Sequence, residues 1–438
     1  MAIFSSLYEK SEYSFLLESL DGIGGSAKYT FLGCEPRWIF KAKGIEVFVE
    51  DRQNEETIEE KFHDPLQVLR GLLRAGAMGD PPIRFAGGAV GYLSYDSIRY
   101  WERLPRKATG DLEFPDIEMA IYDDFIMFDR YRGQAFYCSA GEDRFDEFME
   151  LAKGHRDPGD LHYSEPRSNI PYSEFGEIVA KAKEYIASGD IFQVVLSRRF
   201  EFMMRGDRLR FYRELRRINP SPYMYFLKMG EREVIGSSPE TFVRIENGAI
   251  ETFPIAGTRP RSNDPEEDRR LAIELLEDPK ERAEHVMLVD LARNDLGKVS
   301  RFGSVRVSEF MSVYKYSHVQ HIVSKVIGEL ESDKDCYDAI RALFPAGTVS
   351  GAPKVRAMEI IDELEPSKRG PYAGAVGYFS YNGNADFAIT IRTLVANLDR
   401  GYIQTGAGIV ADSDPEREWL ETEHKASALF KALQLSEA

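Results

Sequence analysis

Gly88-Ala89-Val90-Gly91-Tyr92-Leu93-Ser94-Tyr95 returns, with one replacement, as Gly374-Ala375-Val376-Gly377-Tyr378-Phe379-Ser380-Tyr381. Both copies read as strands whose glycines mark places where a backbone or another sheet comes close. The copies stand too far apart for the period of a solenoid or a propeller. Two matching strands in distant parts of the chain predict two related sheets packed together, and chance likeness of glycine-rich strands is the competing reading. Helical and strand patterns both run through the rest, so the expected class is a mixed α/β sandwich.

Outward from this repeat, one composition break divides the chain. Between Gly154 and Pro171 it passes through Asp157-Pro158-Gly159-Asp160 and Ser164-Glu165-Pro166-Arg167-Ser168-Asn169-Ile170-Pro171, the clustering of a linker. An N-terminal region, 1–160, interleaved with the sandwich, is thereby expected beside a C-terminal region, 170–438. Ser173 is then expected to cap a helix bearing Phe175, Ile178, Val179, Ala182 and Ile186 on one face and ending at Gly189. Ile191 to Phe202 follows as a strand rich in β-branched and aromatic residues.

Composition excludes some partners. Among 438 residues, 56 basic against 73 acidic side chains give a net charge of −17. No basic field is available to draw in nucleic acid or an anionic membrane, although a few local cations suffice for a small anionic substrate. Cys34, Cys138 and Cys336 lie far apart without metal-ligand spacing and fit a reducing cytosol. The N-terminal residues lack the pattern of a signal peptide, and no apolar run approaches the roughly 20 residues of a membrane span. The expected location is cytoplasmic.

Several segments can carry chemistry. Asp278 as N-cap, Pro279 at the first helical position and Glu281 in a capping box predict a helix start. Glu284 and His285 then follow without a local role, ahead of the apolar run Val286 to Leu291. A carboxylate there is costly unless a cation meets it, and a metal ion is the natural candidate beside a plain solvated acidic turn. In the acidic helix expected from Asp414 to Leu433, Glu418, Glu421 and Lys425 share a face. Glu421 can bring a second carboxylate, and two carboxylates with room for water and substrate oxygens describe magnesium better than calcium or zinc. A surface pair of Glu421 with Lys425 is the alternative. Glu240 stands at a strand end, Gly257 and Thr258 beside two arginines, and Gly406-Ala407-Gly408 after a strand Tyr402 to Thr405. Gly347 to Lys354 resembles a phosphate loop only superficially, because Pro353 lacks an amide and Val355 replaces the magnesium-binding hydroxyl. His321 reads first as a satisfied core histidine. Arg392, ending the apolar strand Phe387 to Thr393, suits two-point recognition of a carboxylate.

Taken in order, Asp190 to Ser197, the Glu240 segment, Pro254 to Arg261, Glu281 to Asp295, Gly347 to Lys354 and Gly406 to Gly408 resemble the chorismate-utilising enzymes, over nearly the whole chain. The resemblance implies a large α/β (α+β) sandwich of two orthogonal sheets flanked by helices. It implies Glu284 and Glu421 as ligands of Mg2+, and Gly257, Thr258, Tyr372, Arg392, Gly406, Ala407 and Gly408 as chorismate contacts. Glu240, His321 and Thr348 would surround the reacting ring. Glu18 and Ser19, with Pro222, Tyr223 and Met224, would hold L-tryptophan as inhibitor. Members that add water or only expel pyruvate typically carry a lysine base where this chain has Gln193, which implies ammonia as nucleophile. Ala256, where aminodeoxychorismate synthases often carry lysine, favours anthranilate as product. No cysteine lies in a glutaminase context, so ammonia is expected from a separate glutamine amidotransferase subunit. Aminodeoxychorismate synthesis and a non-catalytic tryptophan-binding homologue are the alternatives.

Overall fold

Neighbouring residues of the strand Tyr13–Glu18 point to opposite sides, and both Phe15 and Leu16 are buried. A strand covered on both faces belongs inside a layered structure. The computed structural model describes all residues except 21–28, 76–82, 111, 155, 317–318 and 438. It contains two sheets of 12 strands each, and the strand pairs within them are antiparallel. The main path of the first sheet runs in space through Leu161–Tyr163, Gln193–Gly206, Arg400–Ile409, Thr393–Asn397, Arg232–Ser238, Tyr223–Met229, Tyr13–Glu18, Tyr29–Cys34, Asp124–Asp129 and Gln134–Ser139. The second runs through Ile255–Pro260, Val319–Glu329, Ala249–Thr252, Thr241–Glu246, Ala385–Ile389, Ala375–Ser380, Gly88–Leu93, Ile117–Tyr122, Trp38–Lys43, Glu46–Asp51 and Glu56–Lys61.

Three apolar clusters follow from this layering. Phe15, Phe31, Tyr225 and Val234 of the first sheet meet Val90, Tyr92, Val376 and Tyr378 of the second. The outer face of the first sheet is covered by helices that include Ala2–Lys10, Arg208–Ile218 and Pro415–Ser436. That of the second packs on helices that include Pro65–Ala75, Cys336–Leu343 and Lys354–Leu364. Between the sheets, Arg232 donates two hydrogen bonds to the fully buried Glu118, at 2.7 and 2.8 Å, and Tyr92 adds a third at 3.0 Å.

The repeated octapeptides do not lie in two sheets, as expected, but side by side in one. Gly88–Leu93 pairs antiparallel with Ala375–Ser380, and Gly91 faces Gly377. Close approach is nevertheless what the glycines serve. A Cβ on Gly91 would strike the Glu118 carbonyl, and one on Gly377 that of Asp386. A repeat specifies local conformation, whereas its pairing partner is a long-range choice.

Other boundaries also moved. The first helix after the linker is Tyr172–Ala187, with Pro171 rather than Ser173 at its N-cap. The following strand begins at Gln193, and Gly406 to Gly408 lie within a strand, paired with Ser197 to Val195, not after it. Arg392 does not end a strand; it sits in the connection between Ala385–Ile389 and Thr393–Asn397 at φ +53°. Glu281 forms no capping box, because the Asp278 amide already bonds Glu274 at the end of the preceding helix. It pairs instead with Arg259 at 3.3 Å.

Beneath the second half of the chain lies a buried ion pair. Arg369 bonds both oxygens of Glu365, at 2.8 and 2.6 Å, and the carbonyls of Val349 and Val195, each at 2.7 Å. Glu365 also accepts from the amide and hydroxyl of Ser197, both at 2.8 Å. Removing one partner of such a pair strands a charge in a dry interior. Glu365→Ala is therefore expected to cost about 3–5 kcal/mol, seen as a lower urea midpoint. An unaltered midpoint would show that the pair is dispensable.

Candidate active site

The strand Arg232–Ser238 ends just before Glu240, and Thr241 opens the next strand of the other sheet. This crossing from sheet to sheet holds the Glu240 backbone, whose carbonyl accepts the Ile389 amide at 3.0 Å. Its carboxyl is buried beside Thr348, in a cavity walled by Phe242, Leu288, Leu291 and Leu343. Burial pushes Glu240 up to about 7, against the opposing pull of the Thr348 hydroxyl and the Lys425 ammonium. Thr348 belongs to the turn Gly347–Val349, whose last carbonyl Arg369 holds. A side chain at Gly347 would collide with that of Leu291, which would have to move.

His321 lies on Val319–Glu329, opposite the Ile255–Pro260 strand. Its Nδ1 is 2.8 Å from the Gly257 carbonyl and 3.1 Å from Thr258 Oγ1. A carbonyl only accepts, so Nδ1 carries the proton and Nε2 presents a lone pair. Burial first, and then the charge of Arg392, lowers the His321 pKa and favours this neutral ring. Gly257 takes φ +67°, and a Cβ there would press on Leu275 and Glu281.

Gly406 and Gly408, on the strand Arg400–Ile409, leave space for neighbouring side chains. A Cβ on Gly406 would stand 2.8 Å from Tyr372 Oη, and one on Gly408 2.6 Å from Gln193 Nε2. The backbone of Ala407 lies between them, paired with Leu196. Among the described residues Arg392 has no ion-pair partner, while burial lowers its pKa and Tyr372 and Glu421 raise it. Such a guanidinium is ready for an incoming anion.

The acids meet from two helices. Glu284 of Pro279–Gly297 is pushed up by burial, and also by the charges of Glu281, Glu421 and Glu418. Glu418 rises by burial too, and its Oε2 is buried without a hydrogen-bond partner. Lysines answer only part of this charge: Lys280 is 3.9 Å from Glu284, and Lys425 is 2.7 Å from Glu421. Among the described residues no three metal-binding side chains are already gathered. The orphaned oxygen of Glu418 and the raised pKa of Glu284 and Glu418 nevertheless suit a divalent cation. Sequence reasoning placed Glu418 on the Glu421 face without giving it a part in the site. Its signal was the i, i+3 spacing.

A second cavity opens between the sheets, lined by Glu18, Ser19, Pro222, Tyr223 and Met224 and backed by Arg244, Tyr378 and Asp386. Strand pairing sets Glu18 opposite Met224. The Glu18 carboxylate is already engaged by Arg216, at 2.8 and 3.2 Å, and by Tyr212 at 2.8 Å. Arg244 and Asp386 were not singled out from the sequence. No local pattern brings them to this place.

The chain matches the family of chorismate binding enzymes over residues 24–431, and it belongs to that family. Relatives within the family include component 1 of anthranilate synthase. The chain is 50% identical to that protein from Methanothermobacter marburgensis over 434 residues, 99% of this chain and 92% of the relative. With the protein of the same name from Saccharolobus solfataricus it shares 50% over 374 residues, 85% of this chain and 87% of the relative. The structure of anthranilate synthase component I from Streptococcus pneumoniae matches with a TM-score of 0.82 at 36% identity, covering 94% of this chain and 93% of the other. The menaquinone-specific isochorismate synthase of Escherichia coli shares the fold, with a TM-score of 0.75 at 20% identity over 98% of this chain and 90% of its own.

The elevated Glu240 has a consequence for stability. The folded protein holds that proton up to about pH 7, whereas the unfolded carboxyl releases it near 4.5. Between these values the native state binds the extra proton, so stability falls as pH rises, by up to about 3 kcal/mol. Glu240→Gln is expected to flatten this part of the profile when urea unfolding is measured at pH 5, 6 and 7. A parent and variant that fall in parallel would contradict the elevation.

Proposed function

We propose that this chain is the large subunit of an anthranilate synthase, adding ammonia at C2 of chorismate and eliminating pyruvate, as the first step of tryptophan biosynthesis. The observation that carries the reading is the Glu240 carboxyl, buried beside Thr348 and still protonated in part near neutral pH. Identity to proteins named anthranilate synthase component 1 over nearly the whole chain supports it.

Chorismate carries two carboxylates, and Arg392 with Tyr372 is suited to clamp one of them. The Gly406-Ala407-Gly408 backbone and the Gly257-Thr258 pair line the remaining polar edge. Glu284 and Glu421 would hold Mg2+, with Glu418 behind them. The ion would act as a Lewis acid on the ring carboxylate. As ammonia joins C2, the C4 hydroxyl leaves as water with a proton from Glu240. Loss of the C2 proton and cleavage of the enolpyruvyl ether then release pyruvate and aromatise the ring. His321 presents a lone pair at Nε2 and is better placed to accept a hydrogen bond than to supply the departing hydroxyl with a proton. Ammonia would come from a separate glutamine amidotransferase subunit, and the free state of Cys34, Cys138 and Cys336 suits a cytoplasmic setting. We assign the inter-sheet cavity to L-tryptophan as inhibitor, with Glu18, Ser19, Pro222, Tyr223 and Met224 at its wall.

The purified chain is expected to make anthranilate and pyruvate from chorismate, magnesium and ammonium salt at alkaline pH, and to ignore glutamine until an amidotransferase is added. An aminated product that keeps its pyruvyl group would assign it to aminodeoxychorismate synthesis, and an inert chain that still binds tryptophan would make it a non-catalytic homologue.

Glu284→Gln and Glu421→Gln are each expected to weaken Mg2+ binding by roughly tenfold or more by calorimetry, with a matching loss of turnover. Unchanged binding in both would remove them as ligands. Ser19→Arg is expected to abolish tryptophan binding, and a variant that still binds normally would exclude the assigned pocket.

A further inference from the structure

Resting on the tryptophan reading of the inter-sheet cavity, we propose that the Tyr223 hydroxyl is the junction through which that cavity positions Glu240, by way of Thr241 and Asp386. The two cavities share no lining residue. Among the described residues a hydrogen bond joins them: Tyr223 Oη, on the inter-sheet side, lies 3.0 Å from Thr241 Oγ1, on the Glu240 side. Its direction follows from counting protons. The phenol donates its single proton to Asp386 at 2.7 Å and accepts from Arg244 Nη2 at 2.9 Å. The Thr241 hydroxyl is therefore the donor to Tyr223.

Both partners of this phenol lead to Glu240. Thr241 follows it directly in the chain. Asp386 stands on Ala385–Ile389, the strand whose Ile389 amide holds the Glu240 carbonyl at 3.0 Å. The same Ile389 accepts the Ser238 hydroxyl at 2.7 Å, so Glu240 is held from either side. Arg244 closes the network by donating to Asp386 at 3.1 Å. At this point the pairing of Thr241–Glu246 with Ala385–Ile389 slips between Thr241 and Val243. A bulge of this kind re-aims the side chains around it. Tyr223 belongs to the first sheet, while Thr241 and Asp386 belong to the second. A ligand that turns the phenol thus moves the backbone on either side of Glu240 without entering its cavity. Thr241 is a positioning residue here, acting on chorismate through Glu240.

The test is calorimetry on the full chain with Mg2+ and no ammonia, so that chorismate binds without turnover. The measured quantity is the ratio of chorismate dissociation constants with and without tryptophan, which by linkage equals the reciprocal effect on tryptophan. Thr241→Val is expected to bind tryptophan within about twofold of the parent, yet to lose coupling by roughly threefold to thirtyfold. Thr241→Ser, which keeps the hydroxyl, is expected to retain it. If valine packs poorly, as judged by near-ultraviolet circular dichroism, Thr241→Ala repeats the measurement. Full coupling in the valine or alanine variant overturns the junction, as does equal loss in the serine variant. A parent that binds no tryptophan overturns both the pocket and the junction. The product formed by the same preparation with ammonium checks the proposed reaction separately.

Discussion

Arg369 and Glu365 form the ion pair on which the second half of the chain rests. Two charges removed from water are tolerable only when their hydrogen bonds are nearly complete. Here the guanidinium spans the Val349 and Val195 carbonyls, and the carboxylate holds the amide and hydroxyl of Ser197. The rings of Tyr95 and Tyr372 face the cation, at 4.6 and 5.7 Å. One buried pair therefore joins the Thr348 turn, the strand that begins at Gln193 and the tyrosine beside Gly406. Because each charge needs the other, these elements are locked together.

Above this base the site keeps its charges unbalanced. Arg392 has no anionic partner among the described residues, and burial, together with neighbouring acidic charge, raises the pKa of Glu284 and of Glu418. Such imbalance opposes folding but leaves cations and anions free to meet ligands of the opposite sign. Glu240 differs from both. It is buried away from strong countercharge and so keeps a proton to give near neutral pH.

The inter-sheet space has a different character. Its apolar filling, with Phe15, Phe31, Val90 and Tyr378, is interrupted by the Glu118–Arg232 bridge and by the Tyr223, Arg244 and Asp386 network. Hydrogen bonds from one sheet to the other, Arg232 to Glu118 and Tyr223 to Asp386, tie the sheets' relative position to a few contacts. A cavity beside such bonds gives a small ligand leverage on both layers.

The sequence by itself determined the local elements with strong start and stop signals. The Asp278-Pro279 helix start and the helix end near Gly189 stand as read. It also showed that Gly91 and Gly377 serve close approach, since the need to omit a Cβ is written at the residue itself. The family was legible because its motifs are short and ordered. Tertiary structure alone decided that the two octapeptides pair within one sheet, and that Glu281 turns to Arg259 because Glu274 takes the cap amide. It alone brought Asp386 and Arg244 to Tyr223, and Arg369 beneath the Thr348 turn. The physical reason is the same in each case. Backbone propensity acts over a turn or two of chain, whereas a partner for a buried charge, hydroxyl or strand edge is chosen only when distant segments compete for it in the folded core.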